Sequence, residues 1–210
     1  MQSKRKNRLL YILGIMIILL GIGIGTIPFL IKENNKMIEK EKIDVFFETI
    51  DEVENTTNII EEVPETKNEK SQIEENYSMV LEIPKINLKK GLYDIKSKYN
   101  SVKYNIQIMK ESKMPNIKNS NLILASHSGN SKIAFFDKLY KLQNGDKVFV
   151  YYQNIKYIYE IVNIYEIEKN GTALIKKDVN ESIIALITCK KYTNNKQLVF
   201  IGNLIAKENY

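Results

Sequence analysis

The chain begins with a long apolar segment and later becomes a series of short apolar runs. Residues 9–31 contain 23 positions without a charge, enough for a helix to cross a hydrocarbon core of about 30 Å. From residue 78 onward, runs rich in Ile, Val, Leu and Tyr alternate with Asn, Lys, Gly and Ser, a pattern typical of strands and turns. We therefore predict one N-terminal transmembrane helix followed by an all-β domain.

Eight candidate strands lie within the last 130 or so residues, which fits a barrel or a sandwich. They read MVLEIP, KGLYDI, YNIQIM, NLILASH, KVFVYY, IKYIYEIVNIYEI, SIIALITC and QLVFIGNLI. Helical interruptions are predicted at residues 98–103 and 133–142, and the Gln153-Asn154 pair predicts a hairpin turn.

Four regions follow from this pattern. They are a cytoplasmic basic tail (1–8), the transmembrane helix (9–31), an acidic stalk or linker (32–77) and the β-rich domain (78–210). A short helix is indicated within the linker, because apolar residues recur there at helical spacing. These residues are Ile43, Phe46, Phe47, Ile50 and Val53.

The alternative interpretation of residues 9–31 is a cleaved signal peptide. The apolar run is longer than the usual 7–15 or so residues of such peptides, and no A-x-A-like cleavage site follows it. Residues 1–8 carry four positive charges, whereas residues 33–76 contain 14 acidic residues and 5 lysines. The positive-inside rule then predicts a cytoplasmic N-terminus, a single-pass cell-membrane protein and an extracellular β-rich domain.

Composition excludes several kinds of site. One Cys and one His allow neither an intrachain disulfide nor a Cys/His zinc site. The net charge is +6, but no nucleic-acid motif accompanies the lysines, so we interpret them as a solubilising surface and expect no nucleic-acid partner. We predict no metal and no cofactor, and we interpret Glu111, Glu166 and Glu168 as solvated surface.

The single thiol and the single imidazole are the candidate catalytic pair. Cys189 closes the apolar run IIALITC, and His127 closes NLILASH. Strand ends that open into loops often carry functional side chains, and an imidazole can generate the thiolate that cysteine catalysis needs. The alternative is structural, since a lone cysteine in a strand is commonly a small buried apolar residue.

Three segments, in this order behind an apolar N-terminal segment, resemble the sortases, surface transpeptidases of Gram-positive bacteria. They are LEIPKINLKKGLY, NLILASHSGNSKIAFFDKLYKLQNGDKVFVYY and ALITCKKYTNNKQLVFIGNL. The resemblance implies a closed eight-stranded barrel with short helices, and His127 and Cys189 at one end of a groove. It also implies that Cys189 cleaves an LPxTG-like sorting signal of surface proteins between Thr and Gly, and passes the thioacyl product to an amine of the cell-wall precursor.

Two positions depart from the family pattern. Gln197 occupies the position of a family arginine, and Ala185 replaces a usual threonine. The resemblance assigns Gln197 to the substrate carbonyl or oxyanion, to which an amide N–H can donate without supplying a charge. We also predict that Leu186, Thr188 and Ser128 bind substrate.

Two other functions remain open from the sequence. One is a weak or inactive relative that serves as an anchored binding or scaffold domain, because the arginine is missing. The other is a thiol-dependent cell-wall peptidase that releases its product to water. The sequence leaves the sortase subclass unresolved.

Overall fold

A computed structural model of the protein describes residues 2–55, 76–170, 173, 175 and 180–210. In this part of the chain, one α-helix precedes eight β-strands and two 3₁₀ helices, the latter at Pro84–Ile86 and Leu139–Lys141. The remaining elements are α1 (Gln2–Asn55), β1 (Met79–Ile83), β2 (Leu88–Leu92), β3 (Gln107–Ile108), β4 (Asn121–Ala125), β5 (Lys147–Tyr152), β6 (Ile155–Glu168), β7 (Ile183–Cys189) and β8 (Lys196–Asn209).

Packing divides the chain into two compact units, residues 1–41 and residues 42–210. The described part of the first unit is helical throughout, including the segment 9–31. No helix among the described residues combines the length and apolarity needed to cross a membrane. The transmembrane helix therefore stays a prediction from the sequence.

The short helix predicted inside the acidic linker is present as the last part of α1, which ends at Asn55. Ile43 and Phe46 are buried there against Tyr77 and Val80, and all four residues belong to the second unit. The Phe47 ring meets the Tyr151 ring edge-on, with the centroids 5.3 Å apart. This apolar face explains the helical spacing of the sequence, because such a face is stable only when it is covered. Linker residues 56–75 lie outside the described residues.

All eight predicted strands are present, and they form one sheet in the order β2-β1-β5-β6-β8-β7-β4-β3. Every hydrogen-bonded neighbour pair is antiparallel except β4 and β7, which run parallel. Gln153 and Asn154 join β5 to β6 with φ angles of 50° and 59°, the left-handed geometry of a type I′ hairpin turn. The predicted hairpin is confirmed.

The barrel is nearly closed rather than closed, which corrects the prediction. The edge strands β2 and β3 share no strand ladder, and β3 has only two residues. A side chain makes the link instead, because the buried Asn105 amide donates to the Gly91 carbonyl oxygen over 2.8 Å. A buried amide needs such a partner, so the contact holds the segment before β3 against β2.

The helix predicted at residues 98–103 is absent, since this segment consists of turns and bends. Asn100 stabilises the turns: its side chain accepts a hydrogen bond from the Ile108 N–H at 2.7 Å and donates to the Ile108 carbonyl at 2.9 Å. Asparagine side chains that bond the backbone favour turns over helix. At residues 133–142 the predicted helix is reduced to turns and the 3₁₀ helix at Leu139–Lys141.

Strand β7 is buried on both faces, which explains its continuous apolar sequence. Ile184 and Leu186 point into the main core, while Ala185 and Ile187 belong to a second apolar cluster on the opposite face. Leu186 is fully buried. Its predicted role in substrate binding is therefore wrong, because a side chain in the barrel core is out of reach of a substrate.

We expect Leu186→Ala to lower the free energy of unfolding by about 2–5 kcal/mol, because it leaves a cavity in a packed core. Urea-induced unfolding followed by circular dichroism measures this loss. Ile205, half exposed on β8, provides the matched control, and Ile205→Ala should change stability by less than about 0.5 kcal/mol. Unchanged stability of Leu186→Ala together with a raised KM would contradict the core assignment.

Candidate active site

The parallel pairing of β4 with β7 brings the segment that carries the single imidazole next to the strand end that carries the single thiol. Within the ladder Ala125 pairs with Ile187, and the Thr188 hydroxyl donates to the Ser126 carbonyl at 2.9 Å, an offset of 62 positions. The same offset relates His127 to Cys189. The Ser126 N–H still donates to the Ile187 carbonyl at 3.2 Å, so the two chains remain adjacent beyond the last ladder pair.

The antiparallel pairing of β7 with β8 brings Gln197 to the other side of the thiol. Cys189 and Gln197 are direct partners in the register, and neighbouring strands lie about 4.8 Å apart. Side chains of paired residues project from the same face of a sheet. Cys189 and Gln197 therefore share one face of the sheet, and His127 follows the end of β4 at the matching offset; we call these three residues, after the roles predicted for them, the catalytic row.

Lys196, the neighbour of Gln197, faces away from the row. Side chains alternate along a strand, and the Lys196 ammonium lies 3.4 Å from the Glu166 carboxylate. The lysine is thus engaged elsewhere, and the side chain at position 197 is an uncharged amide.

Ser128 and Thr188 hold the ends of the row in place. The Ser128 hydroxyl donates to the Cys189 carbonyl at 2.7 Å, and the buried Thr188 hydroxyl bonds the segment before His127. The Phe136 N–H donates to the His127 carbonyl at 3.1 Å. These bonds fix the backbone on both sides of the reactive groups, while His127 is exposed and Cys189 half-buried.

A cavity of about 350 Å³ opens beside Cys189. It lies between the turn after β7 and the segment that precedes the 3₁₀ helix at Leu139–Lys141. Its lining includes Ser128 and Thr188 and excludes Leu186, and substrate binding by Ser128 and Thr188 stays a prediction. The other lining residues are Phe136, Asp137, Tyr140, Cys189, Lys190, Lys191, Tyr192 and Leu198.

Ion pairs surround the site. Glu166 bonds Lys190 and Lys196, and the hydrogen bond from the Lys190 ammonium is the main reason that the pKa of this carboxyl lies below its ordinary value. Glu168 accepts a hydrogen bond from Asn195 at 3.1 Å. Among the described residues, no group of three or more His, Cys, Asp or Glu is arranged to hold a metal ion.

Residues 81–205 match the protein family described as the sortase domain. The chain belongs to the sortase family. This region runs from within β1 to within β8 and includes all three members of the catalytic row. Sortases are cell-wall transpeptidases that act on surface proteins with sorting signals.

Known sortases confirm the fold. The chain is 29% identical over 87 residues to sortase A of Bacillus anthracis, a match that covers 41% of this chain and 41% of that protein. Sortase A of Listeria monocytogenes superposes with a TM-score of 0.54 at 21% identity, covering 64% of this chain and 90% of that one. Sortase C of Streptococcus pneumoniae gives 0.59 at 18%, covering 80% and 96%.

A third class is equally similar. A sortase D5 transpeptidase of Clostridium perfringens superposes with a TM-score of 0.56 at 22% identity, covering 80% of this chain and 99% of that one. At these identities the structures share the sortase fold. Similarity to classes A, C and D together leaves the subclass unassigned.

Sequence reasoning missed the residues that form the far wall of the cavity. Asp137, Tyr140 and Tyr192 come from two segments about 50 positions apart, and no spacing pattern links them. In the structure, Tyr192 stands out as a candidate functional residue, because it is fully exposed and has a φ of 61°. Such a conformation costs a non-glycine residue of order 1–3 kcal/mol and is often found at functional sites.

We expect Gln197→Ala to lower the rate of acylation of this sortase by up to about 10²–10³-fold, the cost of removing one oxyanion donor. Gln197→Arg should retain or raise the rate, because arginine also donates and adds a positive charge. Stopped-flow measurement of thiol acylation by a sorting-signal peptide gives both values.

Lys196→Gln is the matched control, since it changes the adjacent residue on the opposite face and should leave the rate within about twofold. A large loss in a folded Gln197→Arg protein would show that the site is built around glutamine. Equal effects at positions 196 and 197 would contradict the catalytic row.

Proposed function

We propose that this sortase is a cysteine transpeptidase that cleaves an LPxTG-like sorting signal between Thr and Gly and joins the protein to a cell-wall amine. The observation that carries the proposal is the position of Cys189 between Gln197, its partner in the β7–β8 register, and the end of β4, which His127 follows. Acyl transfer needs these three functions: a nucleophile, a proton carrier and an oxyanion donor.

The first half-reaction forms a thioester on Cys189. The thiolate Sγ attacks the carbonyl carbon of the substrate threonine, and the carbonyl oxygen becomes an oxyanion. Gln197 donates an N–H to that oxygen. The C–N bond then breaks as the His127 imidazolium protonates the departing glycine nitrogen.

The second half-reaction reverses the proton path. A neutral amine attacks the thioester carbon, its proton passes to His127, and the C–S bond breaks to restore the thiolate. His127 can serve both steps because imidazole alternates between acid and base near neutral pH. Its exposure allows both the leaving and the entering amine to reach it.

The face that carries the row is suited to an extended peptide. Ile123, Ala125 and Ile187 lie on this face, immediately before the row and within the second apolar cluster. Of the three, only Ala125 is partly exposed, since Ile123 and Ile187 are buried, and this apolar position favours contact with the apolar residues of a sorting signal. The strand direction then leads the peptide toward Cys189.

We expect a peptide-sized mass increase on the protein after mixing with LPxTG-type peptides, and no increase with Cys189→Ala. A glycine-based amine should release the adduct as an amide product, because the thioester is the activated species. Intact mass spectrometry with and without the amine measures both events.

Glu208→Gln, near the opposite end of β8 from Gln197, serves as the active control. A full turnover rate in Cys189→Ala would refute the assignment of the nucleophile. Release of the adduct at the same rate with and without amine, always as the acid, would instead favour a thiol-dependent peptidase. A folded protein with an accessible Cys189 and no adduct with any sorting signal would favour the scaffold interpretation.

For localisation we propose a single-pass membrane protein with residues 78–210 outside the cell. Apolar side chains between positions 11 and 31, among them Ile12, Ile15 and Phe29, are exposed in the first unit, and an apolar surface of this kind favours a lipid environment. The segment has basic residues before it and mostly acidic residues after it, and this difference in charge favours a cytoplasmic N-terminus.

We expect the protein in the membrane fraction of cells, with Cys189 labelled by a membrane-impermeant maleimide in intact cells. Cells producing Cys189→Ala provide the unlabelled control. Recovery of the whole chain in the soluble fraction, or labelling only after lysis, would contradict the proposed anchoring or its direction.

A further inference from the structure

The cavity beside Cys189 contains an ammonium group of the protein itself. Lys191 Nζ lies 3.8 Å from Asp137 Oδ2 and 5.1 Å from the centroid of the Tyr140 ring. A carboxylate and the face of an aromatic ring are the two groups that most favour an organic cation. The structure therefore marks a position in the cavity that suits an ammonium ion.

The contact with Lys191 does not use all the hydrogen-bond acceptors of Asp137, so this carboxylate can also bind a second cation. Asp137 Oδ1 is buried and has no hydrogen-bond partner within the described structure, and the other oxygen meets Lys191 only at the outer limit of an ion pair. A buried carboxylate oxygen without a donor is costly. Rotation of the carboxylate exchanges its two oxygens, and an N–H group from a ligand in the cavity would then remove that cost.

The other residues that line the cavity repel a bound cation less strongly than their formal charges suggest. Lys190 is paired with Glu166. Tyr140 and Tyr192 are exposed, the latter completely, and present their rings at the cavity. The net field near Asp137 is therefore set mainly by Asp137 and Lys191.

The position of the cavity separates it from the peptide face. Its lining includes Thr188 and Leu198, which are the strand neighbours of Cys189 and Gln197. The side chains of Thr188 and Leu198 therefore point to the opposite face from the catalytic row. Cys189 itself borders both regions. A thioester on Cys189 is thus open to a second substrate from the cavity while the acyl chain occupies the peptide face.

We propose that this cavity binds the primary ammonium group of the acceptor substrate between Asp137 and the Tyr140 ring, in competition with Lys191. The proposal rests on the proposed transpeptidase reaction and identifies where its second substrate binds. Aliphatic amines are mostly protonated at neutral pH, so Asp137 concentrates the acceptor beside the thioester.

The bound ammonium must lose two protons in the course of the reaction. The first passes to water and gives the neutral amine. That amine attacks the thioester carbon, the C–N bond forms and the C–S bond breaks. The second proton passes from the nitrogen to His127, which leaves the amide product, the Cys189 thiolate and an imidazolium.

The test uses full-length protein and two substitutions with opposite expected effects. Asp137→Asn removes the anionic partner and should raise the half-saturating concentration of triglycine in thioacyl release by about tenfold, within the range of one charge-assisted contact. Lys191→Gln removes the competing cation and should lower that concentration about threefold or more. The acylation rate without amine should stay within twofold in both, and Glu208→Gln, a distant loss of one negative charge, should change neither quantity.

A merely structural link between the two segments predicts a different result. If the Lys191–Asp137 contact only holds the turn after β7 in place, both substitutions should raise the half-saturating concentration. Shifts in the same direction, or no shift in either variant, would overturn the ammonium site.

Direct binding separates this proposal from the reaction on which it rests. Triglycine, propylammonium and N-acetyl-triglycine are titrated into Cys189→Ala protein and followed by NMR. Saturable binding of the first two, weakened by Asp137→Asn and absent for the acetylated peptide, supports the ammonium site even if no thioacyl adduct ever forms on the wild-type protein. Failure of both amines to bind overturns the site even if Cys189 is acylated by sorting peptides.

Discussion

The register of three neighbouring strands is the constraint on which the active site depends. His127 lies 62 positions before Cys189 and Gln197 lies 8 positions after it, and their segments are adjacent because β7 pairs with β4 on one side and with β8 on the other. A slip of one residue in either ladder would turn one member of the row to the opposite face. The register cannot slip easily, because β7 is buried on both faces and a slip would exchange the side chains of the two apolar clusters.

Burial on both faces also gives Cys189 its two neighbourhoods. Residues of one parity on β7 and β8 continue the main core and end at Thr188 and Leu198, which border the cavity. Residues of the other parity form the second apolar cluster and end at the catalytic row. The half-buried thiol at the strand end adjoins both regions. This position suits the proposed reaction, in which the thiol takes an acyl group from one substrate and transfers it to another.

The sequence was sufficient for the strands and insufficient for two features that depend on side chains far apart, while the roles of the catalytic row stay its prediction. Alternating and continuous apolar runs predict strands because burial determines them, and the single His and single Cys leave one choice of catalytic pair. The Asn105 contact that nearly closes the barrel and the turns fixed by Asn100 depend on individual amide bonds, which leave no periodic signal. Leu186 was misassigned because proximity to Cys189 in sequence does not reveal which face of β7 a residue occupies.

The lysines near the site do not replace the charge of the missing arginine. Lys190 and Lys196 share Glu166, whose pKa is lowered chiefly by the hydrogen bond from Lys190, so this carboxylate stays ionised and both pairs persist at neutral pH. Lys191 is engaged by Asp137. An oxyanion at the catalytic row would therefore meet the dipole of the Gln197 amide rather than a free cation. A neutral donor stabilises an oxyanion less than a charged one, but it also attracts no competing anion, so the rate would depend on how firmly β8 holds the amide in place.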